Sequence, residues 1–272
     1  MLNNRIAIIT GASKGIGKAV ALRFAAHNYF ITLVGRDQKE LEETNRLITT
    51  QYKTESLVCQ GDLADEEFLR EIVDRTMTKW GRVDALINNA AWRQIETMRT
   101  ISLTTWEKTI RICLTAPAFL AQYCASVMEK LAIQGVVINV SSIMSDRPGG
   151  ISPAYAACKG ALESLTYELA ITYGRSGIRA LCVRPGHIDT DMSRDYVDGK
   201  GEDLSSKTIG YLVDATPLGR GGAPAEVAEA IYWLCTDSAS FITGATLTID
   251  GGFSHNINSY AIKKLQFPNE FE

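Results

Sequence analysis

Short runs of Ile, Val, Ala and Leu recur along this chain, and each is followed by a longer segment with helical spacing. Residues 5–10 (RIAIIT), 30–35 (FITLVG), 56–62 (SLVCQGD), 83–91 (VDALINNAA), 135–142 (GVVINVSS), 178–186 (IRALCVRPG) and 245–250 (ATLTID) read as strands. They are almost continuously apolar rather than alternating, the pattern of strands covered on both faces. Segments 17–28, 38–51, 65–80, 103–131, 153–173 and 224–236 read as the helices between them. The first puts Val20, Ala21 and Phe24 on one face, and the third opens on an acidic cap, ADEE at 64–67. Strands alternating with helices in this way predict an α/β fold: a doubly wound parallel sheet of about seven strands with helices on both faces. The stretch 192–222 reads as irregular. No Pro/Ser-rich linker interrupts the alternation, so residues 1–252 read as one domain that includes a substrate loop at 191–215. Residues 253–272 read as a C-terminal tail with little core-forming pattern.

Composition narrows the function. Of the 272 residues, 46% are apolar, ample for a core, and the net charge is −3 with both signs interspersed, which gives no footprint for nucleic acid. Six cysteines without a CxxC pair read as reduced thiols of a cytoplasmic protein, and the three histidines have no metal-ligand spacing, so no metal is expected. The N-terminus runs straight into a strand, so no signal peptide is expected, and no apolar run approaches the length of a membrane span.

The first strand leads into ITGASKGIG at 9–17, with Gly11, Gly15 and Gly17 ahead of a helix. A P-loop requires four residues between its glycine and a Gly-Lys followed by Ser or Thr; here Gly17-Lys18 is wrongly spaced and followed by Ala19. A glycine turn between strand and helix instead lets backbone approach a pyrophosphate, with the helix N-terminus supplying N–H groups. The second strand ends in LVGRDQKE. Gly35 stands where an acidic residue would hold an NAD ribose, and Arg36 follows; Asp37, next in the chain, would count as that acid if the strand ended one residue later. With Lys14 in the glycine turn, this favours NADP(H) over NAD(H).

A second cluster follows the strand 135–142. Ser142 ends that strand, and Tyr155 and Lys159 lie four apart at the head of a helix, sharing a face. A tyrosine with an unperturbed pKa of about 10 is a poor acid–base group at neutral pH, but a nearby ammonium or oxidised nicotinamide favours its phenolate. Such a tyrosine can pass a proton to or from a carbonyl oxygen, and a serine can hydrogen-bond the same oxygen. YxxxK alone is common on surface helices; its place after a Ser-Ser strand end, in a chain with a dinucleotide turn, gives it weight.

Taken together, TGASKGIG, GDL at 61–63, NNAA at 88–91, Ser142 with YAACK, RPGHIDT at 184–190 and the closing TGATLTIDGG resemble the short-chain dehydrogenase/reductase family, in its compact single-domain branch, over about residues 5–252. The resemblance implies a Rossmann-type sheet and NADP(H)-linked interconversion of a ketone or aldehyde and a secondary alcohol by hydride transfer. Tyr155 would be the general acid–base group, Lys159 its activator and a ribose ligand, and Ser142 the residue that orients the carbonyl. Gly11, Ser13, Lys14, Gly15, Ile16 and Gly17 would wrap the pyrophosphate and adenosine side, with Arg36 at the 2′-phosphate. Asp62 and Leu63 would flank the adenine, and Asn89 and Ala90 the adenine ribose. Pro185, Gly186, Ile188 and Thr190 would frame the nicotinamide amide.

Two positions depart from the family pattern. Ala91 replaces a glycine, and Cys113, in RICLTAP, replaces an asparagine that helps hold a water behind the lysine. A thiol is a weak donor and acceptor, which leaves a catalytically weak NADPH-binding sensor as the alternative reading. Pro117 cannot donate to the Cys113 carbonyl, so that carbonyl is expected to be free for a water. Trp92, Arg93, Met144 and Arg147 are the expected substrate residues, for a small carbonyl or alcohol: Arg93 for a substrate carboxylate and Trp92 to stack on a sugar or ring, unless the loop is closed by ordinary salt bridges. His187 reads as a packing residue. Apolar residues on several faces of 103–131 and 153–173, among them Phe119, Tyr167 and Ile171, predict a two-fold homo-oligomer, a dimer or tetramer. YAIKKLQF at 260–267 is a segment that could reach across a neighbour.

Overall fold

The computed structural model describes residues 4–197 and 201–271; residues 198–200 of the expected substrate loop, and Glu272 of the tail, lie outside them. The strands are β1 (Ile6–Thr10), β2 (Phe30–Gly35), β3 (Ser56–Gln60), β4 (Ala85–Asn88), β5 (Val136–Val140), β6 (Arg179–Pro185) and β7 (Ala245–Ile249). All pair in parallel, in the order β3-β2-β1-β4-β5-β6-β7. Every residue of β1 and β5 is buried, as their unbroken apolar sequences require.

Alternate residues feed two cores. Ala7 and Ile9 of β1 join one cluster with Val20 and Phe24 of α1 (Gly15–Ala25) and Ile231 of α8 (Pro224–Leu234). Ile8 joins the other with Ile72 of α3 (Glu66–Trp80) and Leu120, Cys124 and Met128 of α5 (Ala116–Lys130). Helices start where the sequence supplies caps: Asp37 accepts from the Glu40 amide at the head of α2 (Gln38–Leu47), Asp65 caps α3, and Ser102 caps α4 (Leu103–Ile110). Pro153 opens α6 (Pro153–Tyr173), where its missing N–H costs nothing. The six cysteines are buried and unbridged, and burial alone pushes the Cys124 thiol up to about 12.

The long helix at 103–131 is interrupted. Arg111–Thr115 forms a π-helical turn between α4 and α5. Pro117 explains why the α-helical ladder cannot run straight through: it has no N–H for the carbonyl four residues back, and its ring crowds that carbonyl. By length and composition Leu103–Lys130 would suffice to cross a bilayer, contrary to the expectation from apolar run length. Its Ala116, Leu120, Cys124 and Met128 are instead packed into the core.

The stretch 192–222 is more ordered than its sequence suggests, containing α7 (Ser205–Ala215). Ser205 is its one buried residue, while Ile209, Leu212 and Val213, at helical spacing, are half-buried, a short stripe that the Gly-containing surroundings obscure in the sequence. The tail also forms a helix, α9 (Tyr260–Gln266), docked on α7: the Ala261 amide donates to Asp214 at 3.0 Å, and Asn256 Nδ2 to the Ala215 carbonyl at 2.7 Å.

Candidate active site

Strand order reverses between β1 and β4, and there the sheet's carboxyl edge opens into a cleft of about 1110 Å³. The glycine turn forms its floor. Gly11 (φ +67°) and Gly15 (φ +55°) are in the left-handed region, where a side chain would be strained. A Cβ on Gly11 would meet Asn89 Nδ2 at 2.8 Å, and one on Gly17 would meet the Gly11 carbonyl oxygen at 2.1 Å. Asn89 Nδ2 donates to the Thr10 carbonyl at 2.9 Å, while Thr10 Oγ1 accepts from the Asn89 and Ala90 amides at 3.0 Å each. These bonds fix the gap between β1 and β4. Lys14 precedes α1 with no side-chain cap, so no side chain covers the helix's first N–H groups.

Gly11, Ser13, Lys14, Gly15 and Ile16 line the cleft, as do Arg36, Asp62, Leu63, Asn89, Ala90, Pro185, Gly186, Ile188 and Thr190. Gly17 does not; it sits beneath the turn and lets α1 approach it. Asp62 accepts from the Ala64 amide at 3.0 Å, an Asx turn that holds the end of β3.

Ser142, Tyr155 and Lys159 line the same cleft. Lys159 is buried; its Nζ donates to the Val140 carbonyl at 2.6 Å and lies 5.3 Å from the Tyr155 ring centroid. Ser142 Oγ accepts from the Met144 amide at 3.2 Å. Behind them lies a buttress the sequence reading missed. Ser141 Oγ is 3.0 Å from the Lys159 carbonyl and 2.8 Å from Glu163 Oε1, and Glu163 takes two hydrogen bonds from Arg184. Burial pushes the Glu163 carboxyl up, but hydrogen bonds from Arg184 and Ser141 outweigh it and hold it below the ordinary carboxylate range. The available signal was Arg184, a lone charge inside an apolar strand. Asn88 was also missed: it donates to Asn139 and to the Pro117 carbonyl, tying β4 to β5 and α5.

Trp92, Arg93, Met144 and Arg147 line the other end of the cleft. Arg93 donates to the Met192 carbonyl at 2.6 Å and to Asp195 at 2.5 Å, and Lys14 pairs with Asp191 at 3.1 Å. The segment 191–195 is thus tied to both rims. His187 also lines the cleft; burial lowers its pKa, with Asp189 opposing weakly, and its ring packs against Gly221.

Residues 11–254 match a family described as "Enoyl-(Acyl carrier protein) reductase". Glucose 1-dehydrogenase 2 of Bacillus subtilis is 32% identical over 93% of this chain and 96% of its own length. The chain is a short-chain dehydrogenase/reductase. Cis-4-hydroxycyclohexanecarboxylate dehydrogenase of Sinomonas cyclohexanicum is likewise 32% identical, over 92% of this chain and 96% of that protein. Among solved structures, L-sorbose reductase from Gluconobacter frateurii, complexed with NADPH and L-sorbose, superposes with a TM-score of 0.86 at 27% identity, covering 94% of this chain and 98% of that one. Acetoin dehydrogenase from Salmonella typhimurium gives 0.81 at 28% identity, over 93% and 98%. This short-chain dehydrogenase/reductase is therefore an NAD(P)-dependent oxidoreductase acting on alcohol and carbonyl groups of small molecules.

Proposed function

We propose that this enzyme interconverts a ketone or aldehyde and its alcohol, with NADP(H) preferred, Tyr155 as general acid–base group, Lys159 as its activator and Ser142 as carbonyl anchor. The observation that carries the reading is convergence: these three side chains and the glycine turn, from separate parts of the chain, line one cleft.

The residues present fit a dinucleotide. The turn is built so close that a Cβ at Gly11 would fill it, and the uncapped start of α1 suits a pyrophosphate. Arg36 lines the cleft with no ion-pair or hydrogen-bond partner for its side chain among the described residues, which suits a 2′-phosphate. When bound, the nicotinamide supplies or accepts the hydride. Ser142 and Tyr155 then hold the substrate oxygen, and Tyr155 gives or takes the proton. Lys159, shielded from water and close to the ring, stabilises negative charge on the phenol oxygen.

The test is Tyr155→Phe. It should abolish carbonyl turnover while NADPH binding stays within about threefold of the parent, since one hydroxyl is a small part of the nucleotide contact. Unchanged turnover would remove Tyr155 from the mechanism.

A further inference from the structure

The substrate end of the cleft differs in chemistry from the glycine-turn end. The carboxylates that line the cleft are Asp37, Glu40, Asp62 and Asp191; Asp37 and Asp62 belong to the turns after β2 and β3, Glu40 to the first turn of α2, and Asp191 is paired with Lys14. At the other end the wall is formed by Trp92, Met144, Ile151 and Leu212, with Tyr196, Thr208, Tyr211 and two arginines among them. Arg93 has a side chain only 7% exposed, and its Nε is buried without an acceptor even though its Nη2 is paired with Asp195. Arg147 has no ion-pair or hydrogen-bond partner for its side chain among the described residues. A buried N–H with no acceptor is costly, and Arg147, exposed at the cleft with its guanidinium unpaired, offers an anion a charge-assisted contact.

We infer that the substrate carries a carboxylate, gripped by Arg147 and completed by the Nε of Arg93; this rests on the carbonyl–alcohol reading above. The charge count selects a monoanion. At this end Arg93 is answered by Asp195, so Arg147 is the one guanidinium left unpaired among the described residues; Lys159, a further cation lining the cleft, is held on the Val140 carbonyl beside Tyr155. Position sets the spacing. Arg147 follows Ser142 by a tight turn in which the Ser145 amide donates to the Ser142 carbonyl and the Arg147 amide to the Ile143 carbonyl, each at 2.9 Å. Five residues of such a turn rise roughly 7–10 Å, so the carboxylate lies several bonds from the reacting carbonyl.

The experiment uses full-length protein and 4-oxo-4-phenylbutanoate, with its 5-oxo and 6-oxo homologues, against the methyl ester of each. Turnover with NADPH is measured for the parent, Arg147→Ala and Arg147→Lys, and melting shifts are measured on protein loaded with NADP⁺. The parent should favour at least one acid over its ester about tenfold or more, through KM. Arg147→Ala should lower that acid-to-ester ratio by about ten- to a hundredfold, and Arg147→Lys should restore part of it. Only the acid should raise the melting temperature of the loaded protein, and Arg147→Ala should remove the rise. Reduction of acid and ester alike, with equal melting shifts, overturns the carboxylate site and leaves the carbonyl reading standing. Acid-selective, Arg147-dependent stabilisation without turnover supports the site and counts against the carbonyl reading. Acids neither bound nor reduced across the series overturn the site.

Discussion

The Cys113 thiol bridges both backbone polar groups of Trp92: the Trp92 amide donates to Sγ and Sγ donates to the Trp92 carbonyl, each at 3.3 Å. The two residues are 21 apart, one in the π-helical turn and one in the loop leaving β4. The thiol therefore pins the segment that carries Trp92 and Arg93 into the cleft.

An amide has one donor and one acceptor in the same reach, so Cys113→Asn can keep the bridge. It should change the turnover rate by no more than about ten- to a hundredfold, ~1.4–2.7 kcal/mol in barrier, and upward. Cys113→Ala removes both partners and should cost about 1–3 kcal/mol in denaturant unfolding, with lower turnover. An Ala variant as stable and active as the parent would show that the bridge positions nothing. The sensor alternative rested on Cys113 alone; it returns if the parent is inert on every carbonyl tried while the Asn variant gains activity.

Glu163 makes stability depend on acid. Its folded-state pKa is held below the unfolded value, so its contribution is present above the ordinary carboxylate range and disappears as pH falls through the folded value. The window opens near pH ~4.3, the unperturbed value, and extends below it. Glu163→Gln should flatten this part of the melting profile, and removing one partner of a buried pair should cost about 3 kcal/mol at neutral pH. Parallel acid melting profiles for parent and variant would locate the dependence elsewhere. Because Ser141 joins Glu163 to the Lys159 carbonyl, the variant should also lower kcat.

Strand sequence was a good guide where burial was complete. Ile6–Thr10 and Val136–Val140 are buried throughout, so the apolar runs could hardly be read otherwise. The glycine turn was legible because only glycine tolerates φ +67° at Gly11 and the contact at Gly17. What escaped was either non-local or outside the core. The stripe of α7 (Ile209, Leu212, Val213) is short and only half-buried, the Lys14–Asp191 pair joins distant segments, and the π-helical turn answers to Pro117, whose missing N–H signals a lost hydrogen bond but not the change in helix geometry. Arg93, expected at the substrate, is paired with Asp195, a partner 102 residues away that no local pattern announces.

Association should involve α5 and α6. Phe119, Tyr167 and Ile171 are exposed at 41%, 44% and 77%, large apolar side chains that water disfavours. A homo-oligomer with two-fold symmetry is expected by light scattering at micromolar concentration, and Ile171→Glu should reduce its mass. A monomeric parent would sink the assignment.

The last prediction concerns cofactor choice. Lys14 Nζ lies 3.1 Å from Asp191, and this hydrogen bond is the chief reason its pKa is raised, with Glu40 and Asp37 adding attraction. A 2′-phosphate held by Arg36 and Lys14 must therefore compete with Asp191 for the same ammonium. Both partners are largely exposed, so the pair itself is worth only about 0–1 kcal/mol. Asp191→Asn should tighten NADPH binding by about two- to fivefold and leave NADH nearly unchanged. Arg36→Ala, which removes a charge-assisted phosphate contact, should weaken NADPH by ~1.5–3 kcal/mol and spare NADH. The contrast is read by titrating both cofactors against parent and variants at fixed salt, because screening erodes exposed charge contacts. A parent that binds NADH and NADPH equally would overturn the preference. If Arg36→Ala selectively weakens NADPH while Asp191→Asn changes neither cofactor, the phosphate is held by Arg36 without help from Lys14.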